Sequence, residues 1–182
     1  MRFWIAFFRG INVGGHHILP MKELKGALEE FGCETVSTYI QSGNVVFFHA
    51  SDRDELSEQI VTSINERFGF SPKLLLLDGD ELGAIVASNP FADLEQDPGL
   101  VHVWFLAEPA SSPDIVSIDS KLAKSESYAL EGNAFYMYAP DGIGRSKLAS
   151  NVEKYLGVDA TARNWRTVIK LSELAKNSES NL

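Results

Sequence analysis

The chain has 182 residues, 45% of them apolar, and a formal charge of −9, which fits one large or two small globular domains and not a disordered chain. The acidic balance argues against broad attraction to nucleic acid or to an anionic membrane surface. A single cysteine, Cys33, excludes an internal disulfide, and no run approaches the roughly 18 apolar residues of a membrane span, so a cytoplasmic protein is expected.

In chain order, Arg2 to Arg9 reads as a fully buried strand, aromatic and without polar alternation. The apolar run is too short for a signal-peptide core, and Arg9 interrupts it. A glycine-rich stretch follows, Arg9-Gly10-Ile11-Asn12-Val13-Gly14-Gly15; backbone this flexible suits a sharp bend or a close approach. Pro20 to Phe31 has helical spacing and stops at Gly32. Thr35 to Ile40 and Val45 to Phe48 form a hairpin, with Gly43-Asn44 as a two-residue type II′ turn. Ser51 is the expected cap of a helix carrying Leu56, Ile60, Ile64 and Phe68 on one face. Pro72 to Asp78 is another buried strand. The order β-α-β-β-α-β is that of the ferredoxin-like unit.

Residues 79–99 read as a connector with a short helix near Asp80 to Ala87. The same order then returns: Val101 to Leu106 as strand, Pro113 to Lys124 as helix, Ser127 to Leu130 and Phe135 to Tyr138 as hairpin, Lys147 to Leu156 as helix, and a strand from Ala162. Val168 to Lys176 adds a last helix, and residues 177–182 form a polar tail expected to fray. The expected fold is therefore α+β: ferredoxin-like halves over 1–78 and 100–176, with antiparallel sheets. Tyr39-Ile-Gln-Ser-Gly43-Asn44 lies over Tyr128-Ala-Leu-Glu-Gly132-Asn133 at an offset of 89, and Phe68-Gly69 over Leu156-Gly157 at 88. Agreement in one order favours an internal duplication.

In such a unit the loop after strand one and the hairpin between strands two and three lie at one end of the sheet. Arg9, Asn12, Gly14 and Gly15 then meet Gln41, Ser42 and Asn44, a set rich in donors and without a carboxylate. The second half brings a second set to one sheet end: Arg145, Ser146 and Lys147 after strand three, with Arg163, Asn164 and Arg166 after strand four. These residues have the composition of an oxyanion cradle; equally, Ser146 caps a helix and the arginines are solvated. The charge pattern leaves room for an anion here, because residues 1–132 hold 9 Lys and Arg against 20 Asp and Glu, whereas residues 133–182 hold 7 against 5.

Other signatures are missing. Neither glycine-rich stretch has the spacing of a nucleotide P-loop or a Rossmann fingerprint. The side chains of adjacent His16 and His17 diverge, without a Cys, Asp or Glu cluster in register, so no metal site is expected. His49 and His102 fall within strands and read as structural, as does Cys33.

Taken together, Arg9-Gly-Ile-Asn-Val-Gly-Gly15, Thr38-Tyr-Ile-Gln-Ser-Gly-Asn-Val-Val-Phe47, Gly142-Ile-Gly-Arg-Ser-Lys-Leu148 and Arg163-Asn-Trp-Arg-Thr-Val168 resemble the family known as domain of unknown function 1697. The resemblance implies a duplicated α/β plait in a soluble, mostly bacterial protein, and implies no particular activity or cofactor. The residues themselves suggest a protein that binds, or binds and turns over, a small anionic or nucleotide-like ligand on these loops. A second reading is an interaction or regulatory module with an open sheet face, compatible with a homodimer. RNA binding is disfavoured by charge, and Trp4, Phe8, Phe47, Phe48 and Trp165 would stack bases only if exposed.

Overall fold

The computed structural model describes residues 1–12, 14–92 and 97–179. Val13 of the glycine-rich stretch, residues 93–96 of the expected connector and residues 180–182 of the expected tail lie outside the described residues. Among the described residues, eight strands form two four-stranded antiparallel sheets and are accompanied by six α-helices. The architecture is α+β, as expected.

The chain divides into two compact units, one of Met1–Gly83 plus the chain from Lys170 onward, the other of Ala84–Ile169. In the first, β1 (Arg2–Arg9), α1 (Met21–Phe31), β2 (Glu34–Tyr39), β3 (Asn44–His49), α2 (Arg53–Phe68) and β4 (Lys73–Asp78) build a sheet of order β2-β3-β1-β4. α3 (Gly79–Ala87) spans the boundary. The second unit has β5 (Val101–Leu106), α4 (Ile115–Lys121), β6 (Ser127–Glu131), β7 (Ala134–Tyr138), α5 (Val152–Leu156) and β8 (Ala160–Asn164), with sheet order β6-β7-β5-β8. α6 (Trp165–Glu179) begins there and continues into the first unit.

The aromatic β1 run does what its composition dictates. Trp4, Ala6 and Phe8 join Leu24, Leu28, Val45, Phe47, Leu56 and Ile60 in one core, while Phe3, Ile5 and Phe7 on the alternate face are buried as well. In the second unit Trp104, Leu106, Phe135, Met137, Val152 and Leu156 form the core, and Val103, Phe105 and Tyr136 on the other face are also buried. Both faces of the central strands β1, β3, β5 and β7 are therefore lined with buried side chains. All five aromatics considered for base stacking are buried too. Cys33 is buried, and burial pushes its thiol up to about 12, so it is an inert packing residue.

Several boundaries differ from expectation, each for a local reason. Residues 40–43 make the first hairpin turn, and Asn44 belongs to β3, paired with Tyr39 and Phe7. The expected Gly43-Asn44 turn is therefore absent. The second hairpin has a two-residue Gly132-Asn133 turn, with Glu131 opposite Ala134 and Gly132 at φ 55°, the type II′ pattern. Asp52 rather than Ser51 caps α2, its carboxylate accepting from Glu55 N at 3.2 Å. The segment before α5 is two short 3-10 turns instead of a helix from Lys147; Ser146 Oγ accepts from Ala149 N and Asn151 Nδ2 donates to Lys147 O, contacts that compete with helical bonding. α6 starts at Trp165 because Asn164 Oδ1 accepts from Arg166 N at 3.0 Å, and it carries the helix past Lys176 into the expected tail.

The letter-for-letter repeat also needs adjusting. Offset 89 lays Phe47, in the first core, over Tyr136, which lies on the other face with its hydroxyl bonded to Ile85 O. Side chains alternate across a strand, and shifting by one residue to an offset of 88, that of the Phe68-Gly69 and Leu156-Gly157 pairs, lays Phe47 over Phe135 and matches the faces.

Candidate functional site

The two polar stretches of the first unit do come together. Antiparallel pairing sets Phe7 opposite Asn44, and Phe8 N donates to Gly43 O at 2.8 Å. Asn12, in the left-handed region at φ 56°, bridges loop and hairpin: its Nδ2 donates to Leu19 O (2.9 Å) and Gln41 O (3.2 Å), while Leu19 N donates to its Oδ1 (2.8 Å). Asn44 is fully buried and donates to Tyr39 O and Ser42 Oγ. Both asparagine amides thus spend their N–H donors inside the protein and serve as pins. Gly43 is indispensable here: at φ 73°, an added Cβ would lie 2.7 Å from Phe8 O and 2.9 Å from Ile11 Cδ1. Gln41, Ser42, Gly14 and Gly15 are exposed.

What this construction presents is a recess of about 290 Å³ lined by Arg9, Gly10, His17, Ser71, Pro72 and Lys73. Arg9 and Lys73 are direct cross-strand partners of β1 and β4, so their side chains leave the sheet on the same face. His17 is pinned from two sides. Its Nδ1–H donates to Gly10 O at 3.0 Å, since a carbonyl can only accept, and its ring stacks on Phe70 at 4.6 Å and 14°. Among the described residues, the recess has two cationic side chains, an imidazole and a hydroxyl in its lining and no carboxylate. A larger groove of about 830 Å³ between α1 and α2 is lined by Glu30, Glu55, Glu58 and Glu66 and has the wrong sign for an anion.

Of the sequence-derived residues, only Arg9 lines the recess. His17, Ser71 and Lys73 were not singled out as ligand contacts, yet the same topology that pairs the two motifs also sets the start of β4 beside the end of β1. That position was the available signal for Lys73.

In the second unit β7 and β8 end together, with Tyr138 opposite Val101 and Asn164 opposite His102. The residues there are largely committed to the fold. Arg166 Nη2 pairs with Asp97 Oδ1 at 2.5 Å. Gly99 N–H and Arg166 hold the Asp97 carboxyl below its usual range. Asn164 Nδ2 donates to Gly99 O (2.8 Å) and to His102 Nε2 (3.2 Å). Ser146 is buried and caps the turn at Ala149, and Arg163 Nη1 donates to Ala162 O. Arg145 and Lys147 are exposed. α5, the helix meant to open the cradle, has only five residues, so its N-terminus is no anion site.

Two antiparallel sheets with helices, and a donor-rich loop pinned beside a hairpin, define a two-unit α+β protein with one cation-lined loop end. The chain belongs to the family described as Protein of unknown function (DUF1697), whose model matches residues 1–136. Its fold is similar to a solved structure, conserved bacterial protein SP0830 from Streptococcus pneumoniae, with a TM-score of 0.74 and 24% identity over 96% of this chain and 98% of that one. At that identity the likeness is one of fold. A search of curated proteins gave no match. Among the described residues, no helix is long and apolar enough to cross a membrane.

Proposed function

We propose that this protein binds a small anionic ligand in the recess formed by Arg9, His17 and Lys73. The carrying observation is that two cationic side chains sit directly opposite one another on β1 and β4 and, with His17 and Ser71, line one recess. Both side chains can supply charge-assisted hydrogen bonds to an anion in that recess. Asn12, Gln41 and Asn44 act in this reading by holding loop and hairpin, not by touching the ligand. We also infer that the two sheets are duplicated ferredoxin-like units, supported by their matching strand orders.

The test is titration of the full chain with sulfate and with phosphate, followed by calorimetry and by thermal shift. Arg9→Gln and Lys73→Gln should each weaken binding by roughly 1.5–3 kcal/mol, the range for a hydrogen bond to a charged group. Unchanged affinity in both variants would remove the recess from consideration.

A further inference from the structure

We propose that the loop end of the first unit is a self-association surface, on which a second copy of this chain packs against Ile18 and Ile40. The proposal is independent of the anion reading, since neither isoleucine lines the recess.

Three loops share this end of the sheet, residues 10–20, 40–43 and 69–72, because β1 ends beside the starts of both β3 and β4. Asn12 ties two of them together: its Nδ2 donates to the carbonyls of Leu19 and Gln41 at 2.9 and 3.2 Å. Ile18 and Ile40, the chain neighbours of those two residues, are therefore carried on adjoining, fixed segments. Both are exposed, at 60% and 53%.

Single exposed isoleucines are ordinary; these two stand out because the backbone is strained where they sit. Among the described residues four non-glycine residues have positive φ, and three of them, Asn12 (56°), His17 (50°) and Ile40 (51°), lie at this end. For a β-branched residue the left-handed region is a marked outlier, and strain of this kind clusters where a protein binds something. Ile40 combines that strain with an apolar side chain left in water. Covering the side chain would offset part of the cost.

The occupant follows from charge. Asp, Glu, Lys and Arg make up 23% of the chain, yet these three loops contain none. With a charge of −9 on each, two copies repel one another, and a charge-free surface is where they can meet with the least repulsion. The same surface gives a charged partner no handle. Depletion of charge is also the compositional mark of an interface core. About a dozen residues of the three loops are exposed, fewer than the roughly 20–30 a side of a standard interface, so the dimer is weak, with a dissociation constant in the micromolar range.

The experiment is sedimentation equilibrium of the full chain from about 1 to 500 µM, which should show a monomer–dimer equilibrium that added salt does not weaken. Ile18→Ser and Ile40→Asn should each weaken the dimer at least about tenfold, because both copies lose an apolar contact. Val116→Ser, at a residue 81% exposed in the second unit, should leave it unchanged. Asparagine tolerates the left-handed backbone, so Ile40→Asn should also raise the urea midpoint at a concentration where the chain is monomeric. A monomer at every concentration overturns the proposal, and binding of that monomer to phosphatidylcholine vesicles, lost in Ile18→Ser, would assign the surface to a membrane instead. A dimer that survives both isoleucine variants, or that Val116→Ser or added salt weakens as much, places the interface elsewhere. A lowered urea midpoint in Ile40→Asn would make this isoleucine a support of its own fold and equally overturn the reading.

Discussion

The same dipeptide, Gly-Asn, ends up in different places in the two hairpins. Gly132-Asn133 is itself the two-residue turn, whereas Gly43 closes a four-residue turn and Asn44 is already in the strand. Local preference is identical, so tertiary contact decides. At Gly132 a Cβ would meet nothing within 4 Å; at Gly43 it would run into Phe8 and Ile11. The first hairpin is pressed onto the β1 end, and that contact fixes the loop carrying Arg9 and His17. Turn chemistry alone explains the second hairpin; the first is shaped by what it must hold.

Substituting the two glycines should separate the hairpins most clearly. Gly43→Val combines left-handed strain with a collision against backbone, and we expect a loss of about 3–5 kcal/mol. Gly132→Val suffers the strain alone, about 1–3 kcal/mol. Equal losses in urea melts would show that the Phe8 contact is not what distinguishes them. The neighbouring asparagines give a smaller version of the contrast. Asn44→Ala strips two hydrogen bonds from a fully buried site and should cost about 2–3 kcal/mol, whereas Asn133→Ala, half-buried in its turn, should stay within about 1 kcal/mol. Chemical denaturation of both variants checks the ranking.

The second unit should show a pH dependence of its own. Burial lowers the pKa of His102 from its ordinary 6.5, and its Nε2 accepts from Asn164, so the neutral imidazole is the folded form. The unfolded chain then binds more protons than the folded one just below pH 6.5. The sign follows: stability is complete above that pH and is lost as pH falls toward the depressed folded value. Asp97, whose pKa is lowered from 3.8, gives its stability up only below that value, so a comparison between pH 7.5 and 5.5 isolates the histidine. His102→Gln should flatten the difference in denaturation midpoint across this window; an unchanged slope would assign the effect to other groups.

How much of this was readable beforehand depended on the range of the interaction. β1 was legible because an uninterrupted aromatic run has no polar face to expose. The meeting of Arg9–Gly15 with residues 41–44 followed from topology, and Asn12 with Gln41 confirms it. Lys73 was equally deducible from the β1–β4 pairing, but it has no glycine or asparagine beside it to draw attention. The turn at residues 40–43 was not deducible, because Phe8 is about as far from it in sequence as a whole helix-and-strand excursion. Asp97 was the least visible: it lies 69 residues from Arg166, and nothing in a basic stretch announces its counter-ion.

That counter-ion supplies the smallest effect and the sharpest contrast between the units. Arg166 and Asp97 are 64% and 43% exposed in their side chains, so solvent screens their attraction, and such a pair is worth about 0–1 kcal/mol. Arg166→Gln should therefore barely move the melting curve, and a double-mutant cycle with Asp97→Asn should give a coupling no larger than about 1 kcal/mol. Its bearing on function is larger than its energy. An anion approaching Arg166 must compete with Asp97 and is repelled by it. Arg166→Gln should thus leave sulfate affinity unchanged where Arg9→Gln reduces it. Should Arg166→Gln instead weaken sulfate binding as much as Arg9→Gln does, the Asp97 pair is not excluding anions, and the binding site belongs in the second unit.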